Sequence, residues 1–302
     1  MANTVKRTRP RDSLSRIAEP SESPHKAKKL KLQASYTLES PFPHFTRPTS
    51  DEAREVFNIL SKAHFPDSAI SRNRPPASVN SAQSCGDVPN VIEALIGTIL
   101  SQNTSGKNSS AAKANLDAKF GRNNFAAMAA AQREEVVDAI RNGGLANKKA
   151  ATIQAILRSV KEKHGEYSLQ HLGVADAESG RVLSNDEVMQ ELMSYGGVGP
   201  KTASCVLLFC LGRDSFAVDT HVYRLSRLLG WVPEKADRVL AQAHLDIRIP
   251  NELKYSLHVL MIQHGRSCKG CRKSGDGDCL LKTYLKRRSY QEVEGGGKQI
   301  TN

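Results

Sequence analysis

The stretch "SYGGVGPKTASCVLLF", residues 194–209, places three glycines and a proline in front of a lysine and a long apolar run. Gly196 and Gly197 can adopt positive φ and close a tight turn. Pro200 suits the first turn of a helix, where a backbone N–H would have no partner in any case. The sequence therefore predicts a helix, a hairpin turn and a second helix over residues 185–211.

Lys201 lies directly after this turn, at the start of the second helix. A cation is unfavourable there because the N-terminal end of a helix carries partial positive charge. Apolar neighbours further favour the neutral amine, which is a nucleophile suited to forming a Schiff base with a sugar C1′. The backbone N–H groups of Gly197, Val198 and Gly199 are predicted to point outward and bind a phosphate oxygen. On the glycines alone, a turn that only joins two packed helices is the alternative.

Asp219 follows Lys201 by 18 residues, in "FAVDTHVYRLSRLLGW". One helix and one turn separate the two residues, so both side chains can face one cleft. There the carboxylate would stabilise a developing sugar cation that the amine attacks. The alternative for Asp219 is an ordinary helix N-cap, since Asp is a preferred residue at that position.

The composition indicates a polyanionic partner, nucleic acid first. The chain has 302 residues, with 43 Lys+Arg against 31 Asp+Glu, a net charge of +12 and a pI of about 9.5. No window approaches the roughly 18–20 apolar residues that a membrane span needs, so we expect no membrane association.

The N-terminal residues 1–48 are rich in Pro, Ser, Lys and Arg, which predicts a disordered basic tail. Its cluster "HKAKKLKL", residues 25–32, is typical of a nuclear-import signal or of a loose nucleic-acid contact. A mitochondrial presequence is the alternative, although Pro10 and Asp12 interrupt the amphipathic helix it would need. We therefore expect a nuclear protein.

Helical periodicity dominates the rest of the chain and predicts an all-α fold. Two capping boxes mark helix starts, Thr49 with Glu52 and Ser184 with Glu187. A largely buried helix is predicted after Asn90. Further helices are predicted near 107–119, 131–141, 147–162, 185–194, 200–211, 219–230, 235–245, 251–265 and 278–288.

Residues 195–231 resemble the helix-hairpin-helix and Gly/Pro…Asp signature of the endonuclease III superfamily of DNA glycosylases, the HhH-GPD superfamily. The stretches "IGTILSQNTSGKNSSAA" (96–112), "GGLANKKAATI" (143–153) and "NELKYSLHVLMIQHGRSC" (251–268) resemble other parts of the same family. The resemblance covers roughly residues 88–285.

The resemblance implies a two-lobed helical fold with DNA across the cleft between the lobes. One lobe is a six-helix barrel that contains the hairpin, and the other combines N-terminal and C-terminal helices. The implied boundaries are a tail at 1–48, the second lobe at 49–65 and 212–289, a loop at 66–88, the barrel at 89–211, and a disordered tail at 290–302.

The resemblance also implies the chemistry. Lys201 would be the nucleophile that forms the enzyme–sugar imine, and Asp219 the carboxylate that assists base loss. The lysine implies a bifunctional glycosylase with β-lyase activity on oxidised pyrimidines. The expected partner is double-stranded DNA with damaged bases or abasic sites, bound by a monomer. "NTSGKNSS" (103–110) and "LGWVP" (229–233) also look like plant demethylase glycosylases, so 5-methylcytosine is an alternative substrate. A non-catalytic DNA-binding module is a third possibility.

Several residues are expected to contact DNA. Gln102 and Asn103 would fill the space left by a flipped-out base, although helix C-capping is an equal alternative for them. The other expected contacts are made by Thr104, Lys148, Lys149 and His221.

Three cysteines near the C-terminus are candidate metal ligands. Many family members hold a [4Fe-4S] cluster with four cysteines spaced C-x6-C-x2-C-x5-C, whereas this chain has only Cys268, Cys271 and Cys279. A cubane normally takes four thiolates, so we expect no cluster and no required cofactor. The alternatives are a cluster with a non-thiolate ligand, or zinc bound with help from His264 or Asp278.

Overall fold

The computed structural model describes residues 39–66, 90–176, 178–272, 275 and 277–296. The basic cluster at 25–32 and nearly all of the predicted loop at 66–88 lie outside these residues, so nuclear targeting stays a prediction. In the part of the chain that is described, twelve α-helices and no strand are present, which confirms the all-α fold. None of the described helices combines the length and apolar character needed to cross a membrane.

The helices are numbered in chain order. They are α1 (Ser50–His64), α2 (Val91–Leu100), α3 (Gly106–Phe120), α4 (Phe125–Ala130), α5 (Arg133–Ala139), α6 (Ala146–His164), α7 (Asn185–Ser194), α8 (Pro200–Cys205), α9 (Thr220–Leu228), α10 (Arg238–Arg248), α11 (Asn251–Ser267) and α12 (Leu280–Gly296). Short 3₁₀ turns lie at Arg141–Gly143 and Gln170–Leu172, and α8 continues as a π-helical turn over Val206–Cys210.

Both predicted capping boxes are present, at Thr49 and at Ser184. The predicted helix near 131–141 is present as α5, Arg133–Ala139, whereas the short helix α4 before it was not predicted. The Asn124 side chain accepts the Ala127 N–H at 3.2 Å and starts a helix that the apolar periodicity did not reveal. At the C-terminus α12 runs to Gly296, so residues 290–296 are helical rather than part of a disordered tail.

Residues 39–48 are also ordered, although the sequence placed them in the disordered tail. They wrap around His244 on α10. The ring Nε2–H donates to Arg47 O at 2.6 Å, so Nδ1 accepts from the Ser40 hydroxyl, also at 2.6 Å. Phe42 and Phe45 pack edge-on against the same ring, each at 5.6 Å between ring centroids. Buried aromatic packing and two hydrogen bonds offset the entropy of ordering this short segment.

The buried side chains form two large hydrophobic cores. One is built by α2 to α8 and the other by α1 together with α9 to α12. A small third cluster lies where the chain passes from the first core to the second, and we call it the seam. It contains Cys205, Leu208, Phe209 and Ala217, with Tyr255 and Val259 of α11 packed against it. The seam joins the two lobes directly between the positions of Lys201 and Asp219.

The helix-hairpin-helix is formed by α7, the turn and α8. Val198 N–H donates to Tyr195 O at 3.1 Å and closes the turn. Gly197 has φ +90°, and a Cβ there would lie 2.5 Å from Thr152 Cγ2 on α6. A Cβ on Gly199 would meet no protein atom within 4 Å, and its φ of −107° is open to any residue. The fold therefore requires glycine at 197 and does not require it at 199.

We expect Gly197→Ala to destabilise the protein by about 1–3 kcal/mol, because alanine there must adopt positive φ and displace Thr152. The matched variant Gly199→Ala should change the free energy of unfolding by less than about 0.5 kcal/mol. Urea denaturation of the two variants checks the difference. Equal losses of stability would contradict this account of the turn.

Candidate active site

Lys201 and Asp219 flank the seam along the chain, since Cys205, Leu208, Phe209 and Ala217 lie between them in the sequence. Lys201 is the second residue of α8, and Asp219 is the N-cap of α9; both side chains are half-buried. Asp219 Oδ1 accepts the Val222 N–H at 2.8 Å, so the capping role left open by the sequence is present. The cap occupies Oδ1, so Oδ2 is the carboxylate oxygen that can take part in a reaction.

His258 on α11 is buried, with 1% of its surface exposed. Its Nδ1 lies 2.8 Å from Ala217 O, and because a carbonyl oxygen only accepts, Nδ1 carries the proton. Nε2 is therefore a bare acceptor, and no hydrogen-bond partner reaches it. Phe209 and Phe216 flank the ring, at 5.4 and 6.3 Å between centroids.

The charges around His258 show where the amine and the carboxylate lie. Burial lowers the pKa of His258 to about 4, the Asp219 carboxylate opposes this shift, and the Lys201 and Arg266 cations reinforce it. The imidazole is neutral at pH 7. Lys201 and Asp219 both act electrostatically on this one ring, so each charge lies within electrostatic reach of His258.

The loop after α2 contacts the hairpin. Gln102 Nε2 donates to Thr202 Oγ1 at 3.3 Å, one residue beyond Lys201. Asn103 is exposed and has φ +50°, a left-handed conformation that asparagine tolerates better than most residues. Thr104 is half-buried. The loop thus presents Asn103 to solvent beside the lysine.

The predicted phosphate contact of Lys149 is wrong. Its side chain is 3% exposed, and Nζ donates to Leu100 O and Gly143 O, both at 2.8 Å. Burial lowers the pKa of this lysine. Its role is to connect the end of α2 to the turn before α6. The neighbouring Lys148 is exposed, as a phosphate contact requires.

Val198 is likewise not available as a DNA contact through its side chain or its N–H. The side chain is fully buried in the barrel core, and the N–H is used inside the turn. Apolar character was the signal that could have identified it as a core residue. His221 on α9 is half-buried and packs over Gly265, where a Cβ would lie 2.8 Å from His221 Cβ. Its contact with DNA stays a prediction.

Sequence reasoning missed Leu145. It is 54% exposed and has φ +52°, which is strained for a leucine. Lys149 holds the turn that carries it against the end of α2, so Leu145 lies near the Gln102 loop. Its neighbours Gly143 and Gly144 were the only sequence signal, and they do not show that a leucine is exposed.

The C-terminal cysteines gather around a histidine. One donor atom from each of His264, Cys268, Cys271 and Cys279 lies within 4.8 Å of the other three, and the group could hold a metal ion. Asp278 contributes only its backbone carbonyl, 3.9 Å from Cys268 Sγ. The histidine, not the aspartate, is thus the residue that joins the three thiols.

Comparisons with known proteins agree with this geometry. The model of the family described as "HhH-GPD superfamily base excision DNA repair protein" matches residues 96–250. A protein of Arabidopsis thaliana named "Putative DNA glycosylase" is 38% identical over 250 residues, 78% of this chain and 82% of that protein. Endonuclease III of Thermotoga maritima is 31% identical over 206 residues, 66% of this chain and 85% of that protein.

A solved structure of a non-covalent endonuclease III–DNA complex has a similar fold. It superposes with a TM-score of 0.59 at 26% sequence identity and covers 80% of this chain and 99% of that chain. The family model matches residues 96–250. This range includes the hairpin, the half-buried Lys201 and the capping Asp219. The chain therefore belongs to the HhH-GPD superfamily of base excision DNA repair proteins, as an endonuclease III-like DNA glycosylase.

Proposed function

We propose that this protein is a bifunctional DNA glycosylase with β-lyase activity, which removes oxidised pyrimidines from double-stranded DNA. The observation that carries the proposal is that Lys201, on the hairpin, and Asp219, at the start of α9, both act electrostatically on the buried ring of His258. A non-catalytic DNA-binding module would need the hairpin but would not need an amine and a carboxylate near the same buried ring.

The proposed reaction begins when the neutral Lys201 amine attacks C1′ of the damaged nucleoside. The C1′–N bond breaks, the base leaves with the bonding electron pair and gains a proton, and the Asp219 carboxylate stabilises the positive charge on the sugar. The C1′–O4′ bond then breaks, O4′ takes up a proton that the bound nitrogen gives up, and the opened sugar is held as an imine. Loss of a C2′ proton breaks the C3′–O bond, which cleaves the strand, and water hydrolyses the imine to release the lysine.

His258 contributes through its protonation state. A protonated imidazole would place a positive charge in this buried site beside Lys201, and burial disfavours that charge. The neutral ring instead presents bare Nε2 as an acceptor. The hydrogen bond to Ala217 O fixes the tautomer and the orientation of the ring.

DNA would approach across the hairpin and the two loops beside it. A base in a duplex is unreachable, so the enzyme must flip it out of the stack. Leu145 is an exposed apolar side chain of the kind that wedges between base steps, and Gln102 and Asn103 lie on the neighbouring loop. The open space at Gly199 lets a phosphate approach the backbone of the turn.

The first test is covalent trapping. Borohydride reduces an enzyme–sugar imine, so we expect the wild-type protein to become linked to duplex DNA that contains thymine glycol. Lys201→Ala should abolish trapping, because no amine remains to form the imine, and should leave DNA binding within a few-fold. Gel electrophoresis of the reduced complex and a binding assay measure the two effects.

Lys148→Ala is the matched control for this test. It removes an exposed lysine from α6 and should weaken DNA binding while trapping persists at saturating DNA. Trapping that survives in Lys201→Ala would refute the assigned nucleophile. Duplexes with dihydrouracil, 8-oxoguanine, uracil or 5-methylcytosine test the substrate, and preferential trapping on 5-methylcytosine would favour the demethylase alternative.

Asp219→Asn separates capping from chemistry. Asparagine caps a helix about as well as aspartate, so the unfolding temperature and the DNA affinity should stay close to wild type. Loss of the carboxylate should slow base excision by roughly 10²-fold or more. Asp219→Ala is the comparison, since it should lose about 1 kcal/mol of stability as well. Normal excision by Asp219→Asn would show that the residue is only a cap.

The neutral His258 also predicts a pH dependence of stability. Its pKa is about 4 in the folded protein and about 6.5 in the unfolded chain, so between these values only the unfolded state takes up the proton. Acidification from pH 7 to pH 5 should therefore destabilise the wild type more than His258→Gln, by about 1–2 kcal/mol. Urea unfolding at both pH values measures this. An equal loss in the two proteins would place the imidazole outside the buried site.

A further inference from the structure

The cluster of His264, Cys268, Cys271 and Cys279 lies at the position where the family resemblance implies an iron–sulfur cluster. His264 Nε2 lies 3.1 Å from Cys271 Sγ and 3.6 Å from Cys279 Sγ, and the two sulfurs are 3.0 Å apart. His264, Cys271 and Cys279 are each at most 6% exposed, and Cys268 is half-buried. The end of α11 and the segment that follows it, residues 264–279, thus bring four donor atoms together in one largely buried group.

This donor set does not fit a [4Fe-4S] cubane. A cubane takes one thiolate on each of four irons, and the pocket offers three. The other cysteines of the described residues, Cys205 and Cys210, are buried in the seam and in the barrel core. The separations disagree as well, because donors that bind four different irons lie on the outside of a cage, whereas these four donors lie within 4.8 Å of one another.

The same donor set fits a single tetrahedral ion. Zinc binds thiolate at about 2.3 Å and imidazole at about 2.0–2.1 Å, which puts neighbouring donors about 3.5–3.8 Å apart. The donor–donor distances in this group, from 3.0 Å up to at most 4.8 Å, lie on both sides of these values. Three cysteines and a histidine are a closed structural set with no position left for a substrate. We propose that the protein holds one zinc ion through His264, Cys268, Cys271 and Cys279.

His64 on α1 completes the site as a positioning residue. Its Nε2 lies 3.0 Å from His264 Nδ1, with the two rings edge to face at 5.2 Å. When His264 Nε2 binds a metal its lone pair is used, so Nδ1 carries the proton and donates it to His64. A metal-binding histidine almost always donates its second ring N–H in this way.

Arg224 ties the site to the helix that begins at Asp219. Its guanidinium donates to Gly265 O at 2.9 Å and to Cys271 O, the two ends of the metal-binding turn. Three thiolates and Zn²⁺ carry a net charge of −1, which this cation offsets. Through Arg224, and through His221 packed on Gly265, the ion would hold α9 against α11. The zinc would therefore act as a structural clamp of the second lobe and not as part of the chemistry.

Metal analysis of the full chain tests this directly. Protein produced with both iron and zinc in the medium and purified without oxygen should contain one zinc per chain, without the visible absorbance of an iron–sulfur cluster. A brown protein with about four irons per chain overturns the proposal, and so does a metal-free protein. This measurement does not depend on glycosylase activity, so the proposed function can fail while the zinc site stands.

Variants assign the ligands. His264→Ala should lose the zinc. Because that variant can also unfold, His64→Phe provides a second measurement: it keeps all four ligands and should weaken zinc affinity roughly 10–100-fold in competition with a chelating dye. Unchanged affinity in His64→Phe would overturn the assignment of that residue.

A second group of potential ligands provides the control. His164, His171 and Glu191 also lie close together, but on the surface and beside the Lys163 ammonium. His171→Ala should retain the zinc. Cobalt substituted into the wild type should show thiolate-to-metal charge-transfer bands, which a histidine–carboxylate site cannot give. Zinc lost in His171→Ala and kept in His264→Ala would overturn the proposal.

Discussion

The packing of the seam is the constraint on which the rest of the site depends. Phe209, Phe216 and the buried ring of His258 hold the end of α8, the segment before α9 and the middle of α11 in one small apolar cluster. Lys201 belongs to the lobe on one side and Asp219 to the lobe on the other. Only 18 residues separate them along the chain, and within these residues the chain passes from the first core to the second. The packing of the seam holds this passage in place.

The π-helical turn at Val206–Cys210 is part of this arrangement. Leu211 N–H donates to Val206 O at 3.0 Å, so the last turn of α8 is wider than an α-helical turn. Such turns occur frequently at functional sites. Here the wide turn directs Phe209 toward α11 while Cys210 remains in the barrel core. One short segment thus contributes side chains to two cores.

A second set of contacts stabilises the loops near the hairpin. Lys149 donates to carbonyls at the end of α2 and before α6, and so connects the loop after α2 to the turn that carries Leu145. Burying the ammonium costs free energy because it leaves water, and its two hydrogen bonds to carbonyls offset that cost. Removing the lysine would leave both buried carbonyls without this partner, which destabilises the fold. At the cysteine cluster, Arg224 of α9 donates to Cys271 O, and His64 of α1 contacts His264. Around Lys149 and around the cysteines, polar side chains thus connect elements that are distant in sequence.

The sequence by itself determined the local structure: the all-α fold, the two capping boxes and the turn that needs Gly197. It also named Lys201 and Asp219 as the candidate catalytic residues. Each of these features depends on contacts between residues a few positions apart, or on a motif whose residues have a fixed spacing. Only the tertiary structure decided which polar side chains face inward. The sequence could not show that Lys149 is buried while Lys148 is exposed, because adjacent helical residues differ only in the direction they point. Nor could it bring His64 to His264, 200 residues apart, or His258 to Lys201 and Asp219, since such meetings follow from how the two lobes pack.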